Sequence, residues 1–374
     1  MIQHLKVEGL NNQFDYEFEF NEDLNIFTGA NGCGKTTLLK LIWYFISGNL
    51  HRIVDEIPFK KVSIETTQFS FKINPSKHRK ESRLNLVWKF GTGSEKHHGA
   101  SRKKIAQNQT ILRLNGAIVS RSQNSLFFPT FRRIEGGFSI DRNAVHTEDA
   151  AVVRLLSSTT EMLQTAMSRL SGELSTDRHK FITSVSTKDI EELLPLKKIE
   201  IADKVNELYA ELSLRIGKEV SSSDVLQPNS DRAISALEHI QGDLLEAGKT
   251  REKLEKRLTV LDDTVKIIFG REIQVGKGLT LGEKSERQGP PIHADKLSSG
   301  EKQMLGFLCY NAFSDNTSIF IDEPELSLHQ DWQDILLPLL LKQETGNQFF
   351  VATHSEFIYD QFPDKEHILN LEGN

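Results

Sequence analysis

Gly29-Ala30-Asn31-Gly32-Cys33-Gly34-Lys35-Thr36 carries the clearest chemistry in this sequence, because it fits the pattern G-x-x-x-x-G-K-[ST]. Glycines at these places let the backbone wrap closely, so successive N–H groups, from Gly29 through Asn31, Gly32, Cys33 and Gly34, can point at phosphate oxygens. Lys35 would reach the outer phosphates, the Thr36 hydroxyl would be a Mg²⁺ ligand, and Thr37 follows in the opening helical turn. The start of a helix adds partial positive charge at the same spot. Together these residue types point to a nucleoside triphosphate as substrate, with Mg²⁺ as cofactor.

Three further clusters suit the same chemistry. Ser318-Ile319-Phe320-Ile321-Asp322-Glu323 is an apolar strand ending in two acids. Asp322 would hold Mg²⁺ through water, and Glu323 would orient and deprotonate the attacking water. LSSGEKQ, from Leu297 to Gln303, places Ser298 and Gly300 at a helix start, where a hydroxyl and backbone N–H groups can grip a γ-phosphate. By itself that segment is also a good helix cap, with Ser298 and Glu301 forming a capping box, and both readings use the same helix end. His354, after the apolar run Phe349 to Ala352, is placed to hydrogen-bond the γ-phosphate.

These residues need elements to hold them. Alternation predicts strands over Gln3 to Val7 and Phe14 to Phe20, and a shorter one from Leu24 to Thr28 leads into the glycine turn. A helix is expected from Thr36 to Ser47. Further strands are expected at Val62 to Ile73, Leu84 to Phe90 and Thr110 to Leu114, with a polar, basic loop from Glu95 to Lys104. From Glu148 to about Ile268 the pattern is almost wholly helical, with apolar positions at Val152, Leu156, Leu163 and Leu170, and again over Ile199 to Ile216. The run Leu237, Ile240, Leu244, Ala247, Arg251, Leu254, Leu258, Leu261, Val265, Ile268 steps by three and four throughout. It fits an amphipathic helix packed on the body, or a short antiparallel coiled-coil arm or helical dimerisation module. A Gly/Pro-rich connection, Gly282 to Pro291, returns the chain to α/β texture. Strand Ser318 to Ile321, helix Gln330 to Lys342 and strand Gln348 to Ala352 then follow. The expected organisation is a lobe over 1–145, a helical insertion over 146–269 and a second lobe over 270–374.

Composition bounds the function. The chain has 374 residues, 38% hydrophobic and 26% charged, which is a globular profile able to bury a sizeable core. A net charge of −6 argues against a surface uniformly coated for nucleic acid and leaves a local basic patch open. No apolar run approaches the ~20 residues needed to span a bilayer, so no membrane partner is expected. MIQHLKVEGL lacks the apolar stretch of a signal peptide. Cys33 and Cys309 make no disulfide framework and have no neighbours at metal-ligand spacing, so the expected location is cytoplasmic.

Taken in order, the phosphate loop, LSSGEKQ, the acidic strand and His354 resemble the ATP-binding-cassette superfamily. The resemblance covers about residues 1–140 and 270–374. It implies an α/β, phosphate-loop, ABC-type ATPase head split by a helical, partly coiled-coil insertion. It also implies that Ser298 and Gly300 of one copy close, in trans, over ATP held by Lys35 of another, in a head-to-tail dimer or higher oligomer. Ser298 lies 263 residues after Lys35 (298 − 35), with the helical block between. A head split in this way resembles the SMC-like ATPases of DNA repair and the related ATPases of phage defence. The run Asp322-Glu323-Pro324-Glu325-Leu326-Ser327-Leu328-His329, ending in Leu-His rather than Leu-Asp, is similar to the OLD-like group. Phe128-Pro129-Thr130-Phe131-Arg132-Arg133-Ile134-Glu135-Gly136-Gly137 looks like the ATPase subunits of two-gene defence modules such as PARIS and Septu.

This resemblance implies a sensor or scaffold subunit that controls a separately encoded, nuclease-like effector, with DNA or a phage protein as trigger. The alternative is an SMC-like ATPase of repair or chromosome maintenance that clamps DNA. A transporter energy-coupling subunit is a third reading, against which the insertion argues. The sequence runs 20 residues past His354 (374 − 354), so a Toprim nuclease domain like that of OLD nucleases is not expected. No Cys-x-x-Cys zinc hook sits in the helical block. The family's metal-binding loop glutamine has Gln123 as its candidate, and His329 replaces the aspartate that many cassettes carry.

Overall fold

The computed structural model describes residues 1–76, 83–130, 165–183, 187–221, 231–270, 273–275, 279–281, 292–293 and 296–370. The expected helical positions Val152 to Leu163, the segment Phe131 to Gly137 and the connection Gly282 to Pro291 lie outside the described residues. The chain divides into two compact units. One comprises Met1–Ser184, Asp315–Leu337 and Gly346–Asn374, the other Val185–Ser314 and Pro338–Thr345.

The first unit opens with β1 (Ile2–Leu10), β2 (Phe14–Glu19) and β3 (Leu24–Gly29), followed by α1 (Lys35–Ile46) and α2 (Leu50–Glu56). Next come β4 (Lys61–Thr66), β5 (Phe69–Ser76), β6 (Arg83–Phe90), β7 (Lys96–Ser101), α3 (Gln109–Arg121), β8 (Ser125–Phe128) and β9 (His179–Phe181). After Ser314 come β13 (Ser318–Asp322), α7 (Gln330–Lys342, which belongs to the first unit up to Leu337), β14 (Gln348–Ala352), α8 (Glu356–Tyr359) and β15 (Glu366–Leu369). Two sheets result. An antiparallel one runs β2-β1-β4-β5-β6-β7, and a parallel one runs β15-β3-β14-β13-β8-β9.

The central parallel strands β3, β14 and β13 are largely apolar because both faces are covered. Every residue of β13 and β14 is buried. Helix α1 is apolar nearly all round, which suits a helix buried between sheets rather than one lying on a surface. Its Phe45 ring lies 5.8 Å from Phe71 of the antiparallel sheet, and its Trp43 ring lies 5.4 Å from Phe127 of the parallel sheet. The phosphate loop is therefore mounted on the most buried helix of the unit.

Four local expectations change. Thr110 to Leu114 is not a strand but part of α3, where Ile111, Leu114 and Ile118 recur at helical spacing and are buried. Asn108 caps that helix, its side chain accepting from Thr110 N–H at 2.9 Å. Val62 to Ile73 is two strands, because the Thr66 hydroxyl oxygen accepts from Phe69 N–H at 2.9 Å and closes a turn. The basic loop Glu95 to Lys104 contains the edge strand β7 and the start of a 3₁₀ segment, Arg102–Gln107. The helical texture after Glu148 is interrupted as well. Residues 165–174 are helical, but β9 then joins the edge of the parallel sheet beside β8.

In the second unit α4 (Thr187–Val220) and α5 (Asp231–Phe269) run antiparallel. Tyr209 meets Arg251, Arg215 meets Asp243 and Glu219 meets His239, so one position rises as its partner falls. The charged step at Arg251 is thus a cross-helix contact with the Tyr209 hydroxyl. Part of the expected seam holds and part does not. Ala247, Leu261 and Val265 are buried as the spacing predicts, whereas Leu237 and Leu244 are 66% and 51% exposed and Ala236 is buried beside them. Three short strands, β10 (Ile273–Val275), β11 (Leu279–Leu281) and β12 (Ile292–His293), form a small antiparallel sheet ahead of α6 (Ser299–Ala312).

Candidate active site

Strand register brings distant residues to one end of the parallel sheet. Asp322 pairs with Ala352, Ala352 with Phe27, and Ile321 with Phe128. The residues just beyond these rows therefore emerge together at the carboxyl end: the phosphate loop after β3, Glu323 after β13, His354 after β14 and Thr130 after β8. This end of a parallel sheet is where α/β folds bind ligands.

The loop needs its glycines for stated reasons. Gly29, Gly32 and Gly34 have φ of 131°, 85° and 96°, a region L side chains rarely enter. A Cβ on Gly29 would also sit 2.3 Å from the Leu369 carbonyl oxygen of β15. Asn31 and Gly32 are exposed, while Cys33 is buried. The Tyr16 hydroxyl of β2 donates to the Cys33 carbonyl at 3.0 Å and tethers the loop from below. Burial pushes the Tyr16 phenol up to about 12, so it remains a donor.

Lys35 is 6% exposed. Its ammonium donates to the Gly29 carbonyl at 2.9 Å and the Ala30 carbonyl at 3.3 Å, and lies 3.4 Å from His354 Nδ1. A neutral imidazole that accepts from Lys35 at Nδ1 carries its proton on Nε2. That nitrogen is 4.0 Å from Glu323 Oε1. The His354 N–H is itself held by Glu325 Oε1 at 2.6 Å. Glu323 leaves β13 with φ 49° and ψ 58°, a left-handed turn that costs a non-glycine residue about 1–2 kcal/mol. Its N–H donates to the Ala352 carbonyl at 2.8 Å, which fixes the turn against β14.

The Thr36 hydroxyl lies 2.9 and 3.0 Å from the two Asp322 carboxylate oxygens. Asp322 is 2% exposed. Burial pushes its carboxyl above the ordinary range, against the opposing pull of hydrogen bonds from Thr130 and Thr36, and the charge of Glu323 adds to the rise. A buried acid beside a hydroxyl is a hard-oxygen pair of the kind Mg²⁺ takes, and a cation would relieve the acid's burial. The residues present fit that ion.

Other expected site residues fall elsewhere. Thr37 is half-buried one step into α1, its hydroxyl accepting from the Asn11 amide at 3.4 Å. Gln123 does not join the cluster. It precedes β8, whose Ser125 pairs with Ser318, so it lies at the opposite end of the sheet from Asp322. Ser298 and Gly300 belong to the second unit. There Ser298 caps α6, with Glu301 N–H donating to its hydroxyl at 3.3 Å and Ser298 N–H donating to Glu301 Oε2 at 2.6 Å. Ser298 is exposed and Gly300 buried. Tyr16, Thr130 and Glu325 were not singled out from sequence, since each acts through a partner far along the chain or through a common residue type.

The fold and this end of the sheet are those of a phosphate-loop ATPase head. The chain belongs to the AAA ATPase domain family, whose model matches residues 1–359. It is similar to the Septu protein PtuA of Bacillus thuringiensis, 33% identical over 72 residues, which are 19% of this chain and 18% of that protein. It is also similar to the endonuclease GajA of Bacillus cereus (strain VD045), 33% identical over 82 residues, which are 20% of this chain and 14% of that protein. The matches thus span less than a fifth of the length of these curated relatives. Among solved structures it is similar to an Smc head domain with an extended coiled coil from Pyrococcus furiosus, bound to the C-terminal domain of ScpA. The identity is 14% and the TM-score 0.37, with 96% of this chain and 91% of that one covered. Among the described residues no helix is long and apolar enough to cross a membrane.

Proposed function

We propose that this chain hydrolyses ATP at the carboxyl end of its parallel sheet, in a head formed by about residues 1–145 and 270–374 around a helical insertion. The observation that carries this is the gathering of Lys35, Thr36, Asp322, Glu323 and His354 there. The loop N–H groups from Gly29 to Gly34 and the Lys35 ammonium bind the phosphates, with Thr37 completing the first turn. Phosphate oxygens take over the Lys35 contacts that the Gly29 and Ala30 carbonyls now hold. Thr36 would hold Mg²⁺ directly and Asp322 through water, and the ion when bound would neutralise charge on the phosphates. Glu323 accepts the proton of the attacking water. His354 presents its Nε2 proton between Glu323 and the γ-phosphate. Ser298 and Gly300 act in trans, on nucleotide held by a second copy.

The assembly this site serves is a two-component defence module in the cytoplasm. The chain is its sensor or scaffold, and the effector is a separately encoded, nuclease-like protein. Similarity to PtuA and GajA supports this reading, as does the Leu328-His329 ending. The test is co-expression with the product of the adjacent reading frame, with affinity capture in ATP and in ADP. Nucleotide-dependent co-purification is expected, and a dimer that never engages that product would refute the role.

A second reading, an ATPase that clamps DNA, is favoured by the basic stretch around β7. Turnover measured with and without duplex DNA separates the two. No stimulation and no salt-sensitive binding would dismiss the clamp.

A further inference from the structure

We propose that Thr130 is a positioning residue for the divalent cation of this ATPase, holding the Asp322 carboxylate in the orientation in which it, through water, and Thr36 hold the ion. The proposal rests on the reading that Asp322 serves Mg²⁺. Three observations support it. The Thr130 hydroxyl donates to Asp322 Oδ2 at 2.6 Å, shorter than either Thr36 contact. The two residues are 192 positions apart and meet only through strand register, since Ile321 pairs with Phe128 and Asp322 and Thr130 emerge just beyond. Pro129 has no N–H for the ladder, so β8 ends at Phe128 and the next residue is released toward the acid.

The physical consequence follows from the count of donors. An ionised carboxylate has about four lone-pair sites on its two oxygens. With Thr36 alone, the group could rotate about its last bond and keep one hydrogen bond, because Thr36 is nearly equidistant from both oxygens. A second hydroxyl on Oδ2 removes that freedom. Gln123, at the far end of the sheet, cannot do this. Thr130 touches neither phosphate nor water in this scheme and acts through Asp322.

The experiment uses the full chain as wild type, Thr130→Val and Thr130→Ser, with a non-hydrolysable ATP analogue. Mn²⁺ uptake is followed by the loss of the free-ion electron paramagnetic resonance signal, and nucleotide affinity is measured separately in EDTA. Removing a side chain that orients a metal ligand costs 10–100-fold in metal affinity. Thr130→Val should therefore bind Mn²⁺ roughly 10-fold more weakly or worse, with nucleotide affinity in EDTA unchanged and Thr130→Ser close to wild type. Unaltered Mn²⁺ affinity in Thr130→Val overturns the role. So does an equal loss of metal-free nucleotide binding, which would make Thr130 a general support of the fold. If wild type binds nucleotide but takes up no Mn²⁺ with it, the cation-site reading of Asp322 falls too.

Discussion

Lys35 and His354 meet across the phosphate loop, with the ammonium 3.4 Å from the ring's Nδ1. A ring that accepts at Nδ1 carries a proton on Nε2, which stands 4.0 Å from Glu323 Oε1. Glu323→Gln should therefore keep ATP binding while turnover falls by roughly 10²–10⁴-fold, the usual worth of a general base. Lys35→Ala should weaken nucleotide binding itself. Rapid-quench turnover beside equilibrium nucleotide titration checks both, and unchanged turnover in Glu323→Gln would remove it as the base.

Gly29 answers to β15 as much as to phosphate. Gly29→Ala places a methyl group 2.3 Å from the Leu369 carbonyl oxygen, at a φ of 131°. It should lower the unfolding midpoint even without nucleotide. A variant with wild-type stability in denaturant and only a binding defect would mean that β15 yields easily.

Ser298 caps α6 through a reciprocal pair with Glu301. Ser298→Arg should cost about 1 kcal/mol of local stability as a lost cap and should block turnover by the dimer. Binding of ATP by the isolated monomer should persist. If monomer binding disappears as well, the segment does not act from the second copy.

His179 is fully buried in the first unit. Its Nδ1 lies 2.8 Å from the Ser125 hydroxyl, which accepts from the Trp43 indole N–H at 3.0 Å. Its Nε2 has no partner among the described residues. Burial, aided by the charge of Arg178, pushes the ring down to about 4 from 6.5. Between those values the unfolded chain binds a proton that the folded chain does not, so stability is full above pH 6.5 and declines as pH falls toward 4. The loss amounts to roughly 3 kcal/mol. Urea unfolding across that range should show it, and the slope should flatten in His179→Asn.

Gly242 and Gly248 lie in the interior of α5, exposed and with open space where a Cβ would stand. Each change to Ala should stabilise the helix by about 1 kcal/mol. Thermal unfolding of the full chain followed by circular dichroism measures this, and no gain in the double variant would mean that this helix does not unfold with the transition observed.

The sequence by itself determined whatever depends on neighbours a few residues apart. The phosphate loop, the strand ending in Asp322-Glu323, the capping box at Ser298, helix Gln330 to Lys342 and strand Gln348 to Ala352 are local patterns, and each stands in the structure as read. Short windows misled where two periods compete. Ile111 and Leu114 fit a strand until Ile118 is counted, and Leu237 and Leu244 fit the seam that Ala247, Leu261 and Val265 do form, yet stand exposed while Ala236 is buried. Only the tertiary structure decided which hydroxyl reaches Asp322. Thr130 and Gln123 flank the same short strand, and nothing local distinguishes them. Parallel pairing of β8 with β13 sends one to the Asp322 end of the sheet and the other to the opposite end. Strand direction is a property of the assembled sheet, and no stretch of β8 alone encodes it.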